Sequence, residues 1–246
     1  MKILLIGYGK MGKTIDELAR FRGHEIVAKI DKDSGYDQLL KHKNNLDVAI
    51  EFTEPAAARN NLLFCAEHHI PVVCGTTGWQ SHRKEVEKAF IDNQGALFYT
   101  SNFSIGVNIY FYINRMLARL MKNHADYSPS IEEIHHIHKK DFPSGTALTL
   151  FEDIQTEYPG YHRFQPILSP QLPKPNSDEI SILSFREGEV PGIHEVKYRS
   201  VNDIITIKHE AINRRGFGEG AVIAAEWLRS RNGIFGMSDL LNSDLK

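Results

Sequence analysis

The sequence predicts an α/β protein: a Rossmann-type parallel sheet forming a nucleotide domain, joined to a smaller α+β domain with a mixed or antiparallel sheet. Three observations carry that prediction. A largely apolar run over residues 2–6 ends in the glycine loop Gly7-Tyr8-Gly9-Lys10-Met11-Gly12. Strand and helix candidates then alternate as far as Lys122, the pattern of repeated βα units. Beyond Asp178, three strand candidates follow one another with no helix between them, so that part of the chain pairs its strands differently.

Each element has a local reason. Met11, Ile15, Leu18 and Ala19 recur at helical spacing up to Gly23, and Glu25 to Ile30 reads as a second strand ending on Asp31. A bare GxGxxG is weak evidence. Set between a strand and a helix, and followed about 20 residues later by an acid at a strand tip, it becomes a dinucleotide fingerprint. Gly7 permits the tight turn, Gly9 lets the backbone approach a pyrophosphate, Gly12 lets the helix sit close to the strand, and Asp31 accepts from the ribose hydroxyls. Lys32, a cation beside that acid, is compatible with a 2′-phosphate, so both NADH and NADPH fit the pattern.

Asp47 to Phe52, Ile70 to Cys74 and Ala96 to Thr100 are further strand candidates, with helices predicted over Pro55 to His68 and Ser81 to Ile91. Ligands of parallel sheets bind outside the carboxyl ends of the strands. Phe52-Thr53-Glu54-Pro55, Gly75-Thr76-Thr77-Gly78 and Thr100-Ser101-Asn102-Phe103 lie at those ends and suit a nicotinamide ribose and ring; otherwise they are ordinary turns. A long helix follows from Ile105 to Lys122, its stripe of Val107, Tyr110, Ile113, Leu117, Leu120 and Met121 predicted as core. After a loop from Gln165 to Asp178, the strands Glu179 to Phe185, His194 to Tyr198 and Asp203 to His209 form the second sheet. A helix carrying Ala221, Ala224, Ala225, Trp227 and Leu228 ends the pattern and is expected to return to the first domain. The expected division is 1–104 plus 215–246 for dinucleotide binding and 105–214 for substrate binding and oligomerisation. A broad sheet in a small domain leaves a face or edge to be covered by self-association.

Composition narrows the partners. The 246-residue chain has a formal charge of −2, which gives no basic footprint for nucleic acid or an anionic membrane and favours a small molecule. No stretch approaches the roughly 20 apolar residues of a membrane span. Met1 to Ile6 is too short for a signal-peptide core of about 7 to 15 residues. Cys65 and Cys74 sit in apolar segments and suggest no disulfide framework, so the expected compartment is the cytoplasm.

The chemistry concentrates in Glu133-Ile134-His135-His136-Ile137-His138-Lys139-Lys140-Asp141-Phe142-Pro143-Ser144-Gly145-Thr146. If the first half is extended, His135, Ile137 and Lys139 face one way and His136 and His138 the other. Ser144 or Thr146 can cap the helix that follows, whose unpaired amides and positive dipole end attract a carboxylate. The stretch thus reads as a strand delivering His and Lys to a carboxylate pocket floored by a helix N-terminus; the alternative is a solvated polar strand before an ordinary capped helix. No metal is expected, because an extended HHxH splits its imidazoles between two faces and no nearby Cys completes a ligand set.

The order of these motifs resembles the dihydrodipicolinate reductase family, also called 4-hydroxy-tetrahydrodipicolinate reductase, of the bacterial lysine and diaminopimelate pathway. Glu133 to Thr146 is similar to the family's E-x-H-H-x-x-K-x-D-x-P-S-G-T-A signature. Cys74-Gly75-Thr76-Thr77-Gly78 and Ser101-Asn102-Phe103-Ser104-x-Gly106-Val107-Asn108 support it in the right order. The resemblance implies that His135 is the general acid after hydride delivery and Lys139 its catalytic partner. It implies that His136, Lys139, Ser144, Gly145 and Thr146 hold the substrate carboxylates. Gly7, Tyr8, Gly9, Lys10, Met11, Gly12 and Asp31, together with Gly75, Thr76, Thr77, Thr100, Ser101, Asn102 and Phe103, would bind NADH or NADPH. A homotetramer built through sheets of the second domain is also implied. The chain departs from the family pattern in a glycine loop one residue short, in Glu51 for Asp, in Phe142 for a small residue and in Ile223 for Arg, positions that bear on cofactor preference and pocket shape. The competing readings are another two-domain NAD(P)-dependent dehydrogenase, acting on an amino acid or sugar acid, and a non-catalytic NAD(P) sensor, which would have no use for the His/Lys cluster.

Overall fold

The computed structural model describes residues 1–31, 40–167, 176 and 178–243; Lys32 and most of the expected 165–178 loop lie outside them. The first half of the chain runs β1 (Lys2–Ile6), α1 (Lys10–Phe21), β2 (Glu25–Ile30), β3 (Val48–Glu51), α2 (Pro55–Glu67), β4 (Val72–Cys74), α3 (Arg83–Asp92), β5 (Ala96–Tyr99) and α4 (Ile105–Met121). The second half runs β6 (Ser128–His135), α5 (Gly145–Glu157), β7 (Arg163–Ile167), β8 (Glu179–Arg186), β9 (Ile193–Arg199), β10 (Ile204–Glu210), α6 (Arg215–Leu228), β11 (Gly233–Phe235) and α7 (Met237–Ser243). These elements gather into two compact units, Met1–Ile105 with the chain from Arg215 onward, and Gly106–Arg214.

In the first unit six parallel strands lie in the order β11-β5-β4-β3-β1-β2. Apolar helix faces cover both sides, as the βα alternation requires. Ile15, Leu18, Ala221 and Ala225 pack on one face, and Leu62, Ala66, Val86 and Phe90 on the other. Pro55 opens α2 at a position where its missing N–H costs nothing. The strand order reverses at β1, whose neighbours β2 and β3 diverge into separate crossovers, and such a switch point is where a parallel sheet opens a crevice.

The second unit holds a mixed sheet of order β10-β9-β6-β8-β7. β8 runs parallel to both β6 and β7, whereas β9 is antiparallel to β6 and β10. Tyr110, Ile131, Leu150, Ile182 and Val196 belong to the core that α4 and α5 make with one sheet face.

Several expectations need correcting. The 165–178 stretch begins as strand, since Gln165 to Ile167 belong to β7, and Pro166 is accommodated because β7 is an edge strand. β11 and α7 were not expected, being too short to show a period. The α4 stripe divides: Val107, Tyr110 and Met121 are buried, but Ile113 and Leu120 are exposed beside Ile109 and Met116. A helix with apolar residues on most of its circumference does not reveal its buried side by periodicity.

Candidate active site

In the first unit, the carboxyl ends of β1, β2 and β3 surround a cavity of about 380 Å³ lined by Gly7, Tyr8, Gly9, Asp31, Thr53 and Asn61, among others. Gly7 has φ +95°, and a Cβ on Gly12 would stand 2.2 Å from the Gly7 carbonyl oxygen, so these two glycines close the loop against α1. Gly9 differs: among the described residues, its chain neighbours and own helix backbone aside, a Cβ there would meet no atom within 4 Å. That open space beside the amino end of α1 fits the close approach of a pyrophosphate. The Tyr8 hydroxyl donates to Asp16 (2.6 Å) and accepts from the Lys29 ammonium (2.7 Å), which fixes the ring at the cavity wall. Glu51, wholly buried, accepts from the Thr53 hydroxyl, from the Asn61 amide at 3.2 Å and from the Cys74 thiol at 3.1 Å. The Asp-to-Glu departure thus lies in a network that positions two cavity-lining side chains.

The other expected cofactor residues are placed less uniformly. Lys10 is exposed, Met11 packs against the core, and Gly12 lies beneath Gly7 rather than in the cavity. Gly75, Thr76 and Thr77 follow β4, and Thr100, Ser101, Asn102 and Phe103 follow β5, along the same sheet edge but outside this cavity. The Thr76 hydroxyl accepts from the Thr53 amide (2.7 Å). Phe103 is buried against Phe52 and Phe98, so its ring is core.

In the second unit the sheet register builds the site. On β6, alternation puts Glu133 and His135 on the buried face. Glu133 pairs with Ser184 on β8 and with His194 on β9, and His194 pairs in turn with His209 on β10. One polar row therefore crosses four strands. Glu133 is wholly buried, and its Oε1 accepts from the Ser184 hydroxyl (2.7 Å) and the Ser144 amide (3.1 Å). Its Oε2 lies 3.4 Å from His135 Nε2 and 3.6 Å from His194 Nε2. Burial alone would raise the Glu133 carboxyl; the contacts from His135, His194, Ser144 and Ser184 outweigh it and hold the group far below the usual carboxylate range. Burial pushes the His194 imidazole down, against the pull of Glu133 and with a further push from His135.

Beyond His135 the chain leaves the strand. Lys139 N–H closes a turn onto the His136 carbonyl (3.1 Å), so the expected alternation of His135, Ile137 and Lys139 against His136 and His138 does not occur. Arg186 holds this turn by donating to the carbonyls of Lys139 (3.2 Å) and Asp141 (2.6 Å). The Lys139 ammonium donates to both Asp141 oxygens at 2.8 Å and holds that carboxyl below its ordinary range. His136 Nε2 accepts from Arg214 at 3.2 Å. Burial, and then the Arg214 charge, push the His136 imidazole down. Ser144 is the N-cap of α5, its hydroxyl accepting from the Ala147 amide (3.2 Å), while Gly145 and Thr146 supply first-turn amides with no partner inside the helix. The turn that carries Lys139 and Asp141 leads within a few residues into the start of α5, whose first amides and dipole favour an anion.

Sequence reasoning missed His194, Ser184 and Arg186, whose places depend on strand register. It also set metal aside on the alternation of HHxH. Glu133, His135 and His194 instead bring three ligand atoms within 4.8 Å of one another, a set that could hold a cation. Hydrogen bonds engage the same atoms, since His135 Nε2 and the Ser144 hydroxyl lie 3.2 Å and 3.1 Å from His194 Nε2.

Comparison with known proteins agrees with this construction. The family description "Dihydrodipicolinate reductase, N-terminus" matches residues 1–103, and "Dihydrodipicolinate reductase, C-terminus" matches residues 106–241. A protein of Christiangramia forsetii named 4-hydroxy-tetrahydrodipicolinate reductase is 45% identical over 245 residues, covering 100% of this chain and 99% of its own. One of the same name from Rickettsia rickettsii is 35% identical over 94% of this chain and 95% of its own. The dipicolinate-bound dihydrodipicolinate reductase of Paenisporosarcina sp. TG-14 shares the fold, with a TM-score of 0.75 at 20% identity, over 96% of this chain and 97% of that one. With both halves matched and a relative of this identity spanning its full length, the chain belongs to the dihydrodipicolinate reductase family.

Proposed function

We propose that this chain is an NAD(P)H-dependent oxidoreductase that reduces a cyclic imine carrying two carboxylates, the 4-hydroxy-tetrahydrodipicolinate reductase reaction of lysine and diaminopimelate biosynthesis. The observation that carries the reading is the junction of β6 and α5, where an imidazole at the strand end meets a capped helix start and the Lys139 turn. A dianionic ring needs donors of this kind, and an acid for the enamine formed on reduction. Hydride comes from the reduced nicotinamide when it is bound.

His135 acts as general acid, with Lys139 adding positive potential where negative charge develops. An imidazole ionises near pH 6.5 in general, which keeps both of its forms accessible. His136, Lys139, Ser144, Gly145 and Thr146 hold the carboxylates. For Lys139 this requires exchanging Asp141 for substrate. Gly7, Tyr8, Gly9 and Asp31 line the nucleotide cavity, and the ends of β4 and β5 extend its edge. The first unit serves the nucleotide and the second the substrate. NADH and NADPH are both accepted, with Asp31 favouring NADH through the ribose hydroxyls.

Self-association into a homotetramer would cover the half-exposed face of the second sheet, where Ile134, Ile193 and Ile204 lie among Glu132, Glu195 and Lys197. The cytoplasm is the proposed compartment, a setting in which the free thiols of Cys65 and Cys74 persist; among the described residues, no helix is long and apolar enough to cross a membrane. A coupled assay with freshly generated substrate tests the reading. Oxidation of NADH or NADPH that depends on substrate and is inhibited by pyridine-2,6-dicarboxylate supports it, and the absence of turnover with either cofactor contradicts it.

A further inference from the structure

We infer that His194 is a positioning residue that turns His135 Nε2–H inward, so that the proton given to the reduced substrate leaves from His135 Nδ1. This rests on the reading of His135 as the acid and adds which atom acts and what holds it.

His194 is 4% exposed, and its Nε2 is 3.2 Å from His135 Nε2 and 3.1 Å from the Ser144 hydroxyl. Two imidazole nitrogens at that distance share one proton, so one donates and the other accepts. The Ser144 hydroxyl oxygen already accepts from the Ala147 amide at 3.2 Å, which leaves its hydrogen free to point at His194 Nε2. A ring nitrogen that accepts from the Ser144 hydroxyl carries no proton of its own, so the His194 ring has its proton on Nδ1. His135 Nε2 is therefore the donor, and Glu133 Oε2 lies 3.4 Å from the same nitrogen.

The opposite edge of the His135 ring faces Gly192, where a Cβ would come within 2.9 Å of His135 Cε1 and 3.3 Å of Nδ1. Any larger residue at 192 would press on that edge. Among the described residues no hydrogen-bond partner is found for Nδ1, the nitrogen left for chemistry. The step balances: hydride from the reduced nicotinamide adds to the conjugated ring, and the displaced electron pair forms a C–H bond with the proton on Nδ1. The Nδ1–H bond breaks, and His135 remains neutral with its Nε2–H still directed at His194. Other charged or titratable groups around the pair are Glu133 on β6, Arg186 on β8, whose guanidinium is 3.8 Å from Glu133, and His209 on β10.

Long-range ¹H–¹⁵N NMR of the imidazoles in the wild-type, ligand-free protein tests this without turnover or mutation. The expected spectra show His194 protonated at Nδ1 alone and His135 protonated at Nε2. A His194 ring carrying its proton on Nε2, or a metal-bound Nε2 signature abolished by EDTA, would overturn the inference. In kinetics, His194→Leu should lower kcat on the order of 10²-fold, at the lower end of the range for loss of a general acid. It should also move the basic limb of the kcat profile to lower pH while leaving the affinities for NADH and pyridine-2,6-dicarboxylate near normal. His194→Gln, which can place an amide oxygen as acceptor, should recover most of the rate and return the limb. An unaltered rate and limb in His194→Leu sinks the positioning role alone, provided His135→Gln is disabled; an active His135→Gln sinks the reading of His135 as acid.

Discussion

Glu133 and His194 face each other across the antiparallel β6/β9 pair, with Oε2 of the buried carboxylate 3.6 Å from Nε2 of the buried imidazole. The same carboxylate receives the Ser144 amide at the start of α5. Strand pairing, helix start and His135 are therefore coupled through one side chain. Glu133→Ala leaves the buried Ser144 amide and Ser184 hydroxyl without their acceptor, and the expected loss of stability is about 3 kcal/mol, the upper end of the range for buried polar groups left unpaired. Urea unfolding measures it, and a loss below about 1 kcal/mol would mean that water replaces the carboxylate.

Two depressed groups in this buried row, Glu133 and His194, contribute to the pH dependence of stability. Glu133 in the folded chain lies far below its ordinary 4.5, and His194 lies below its ordinary 6.5. In both cases the unfolded chain binds protons first, so stability rises with pH. The urea midpoint should fall from about pH 6.5 downward as unfolded His194 protonates, and more steeply below about pH 4.5 as unfolded Glu133 does. Glu133→Gln should flatten the lower limb and His194→Gln the upper one.

The glycine loop separates a packing role from a binding role. Gly12→Ala drives a Cβ to 2.2 Å from the Gly7 carbonyl, and the strain should cost about 1 to 3 kcal/mol. Gly9→Ala meets no atom of the described residues within 4 Å, its chain neighbours and own helix backbone aside. It should leave stability within about 1 kcal/mol of wild type while weakening NADH binding. Equal effects of the two substitutions on thermal unfolding would contradict this division.

Asp31 lines the nucleotide cavity at the end of β2. A carboxylate there accepts from ribose hydroxyls and repels a 2′-phosphate, so Asp31→Ala should weaken NADH about tenfold, near 1.4 kcal/mol, and NADPH less. Fluorescence titration of both cofactors reads the ratio. An unchanged ratio would remove Asp31 from cofactor discrimination.

What could be read from the residues divides by distance along the chain. Gly7 to Asp31 was legible because strand, turn, helix and acid follow one another at fixed spacing. A cap for α5 at Ser144 or Thr146 was legible for the same reason, and the structure selects Ser144. His194 and Ser184 were not, because only the pairing register of β8 and β9 brings them to Glu133. The HHxH stretch misled because alternation holds only while the strand lasts, and the turn after His135 ends it. β11 has three residues and leaves no period to detect.

The account depends most on His135. Steady-state turnover of His135→Gln, measured with NADH affinity on the same preparation, tests it directly. The expected result is a fall in kcat of about 10² to 10⁴-fold, the range for a general acid, with nucleotide affinity near normal. Full turnover in that variant would contradict the account and require another group to supply the proton.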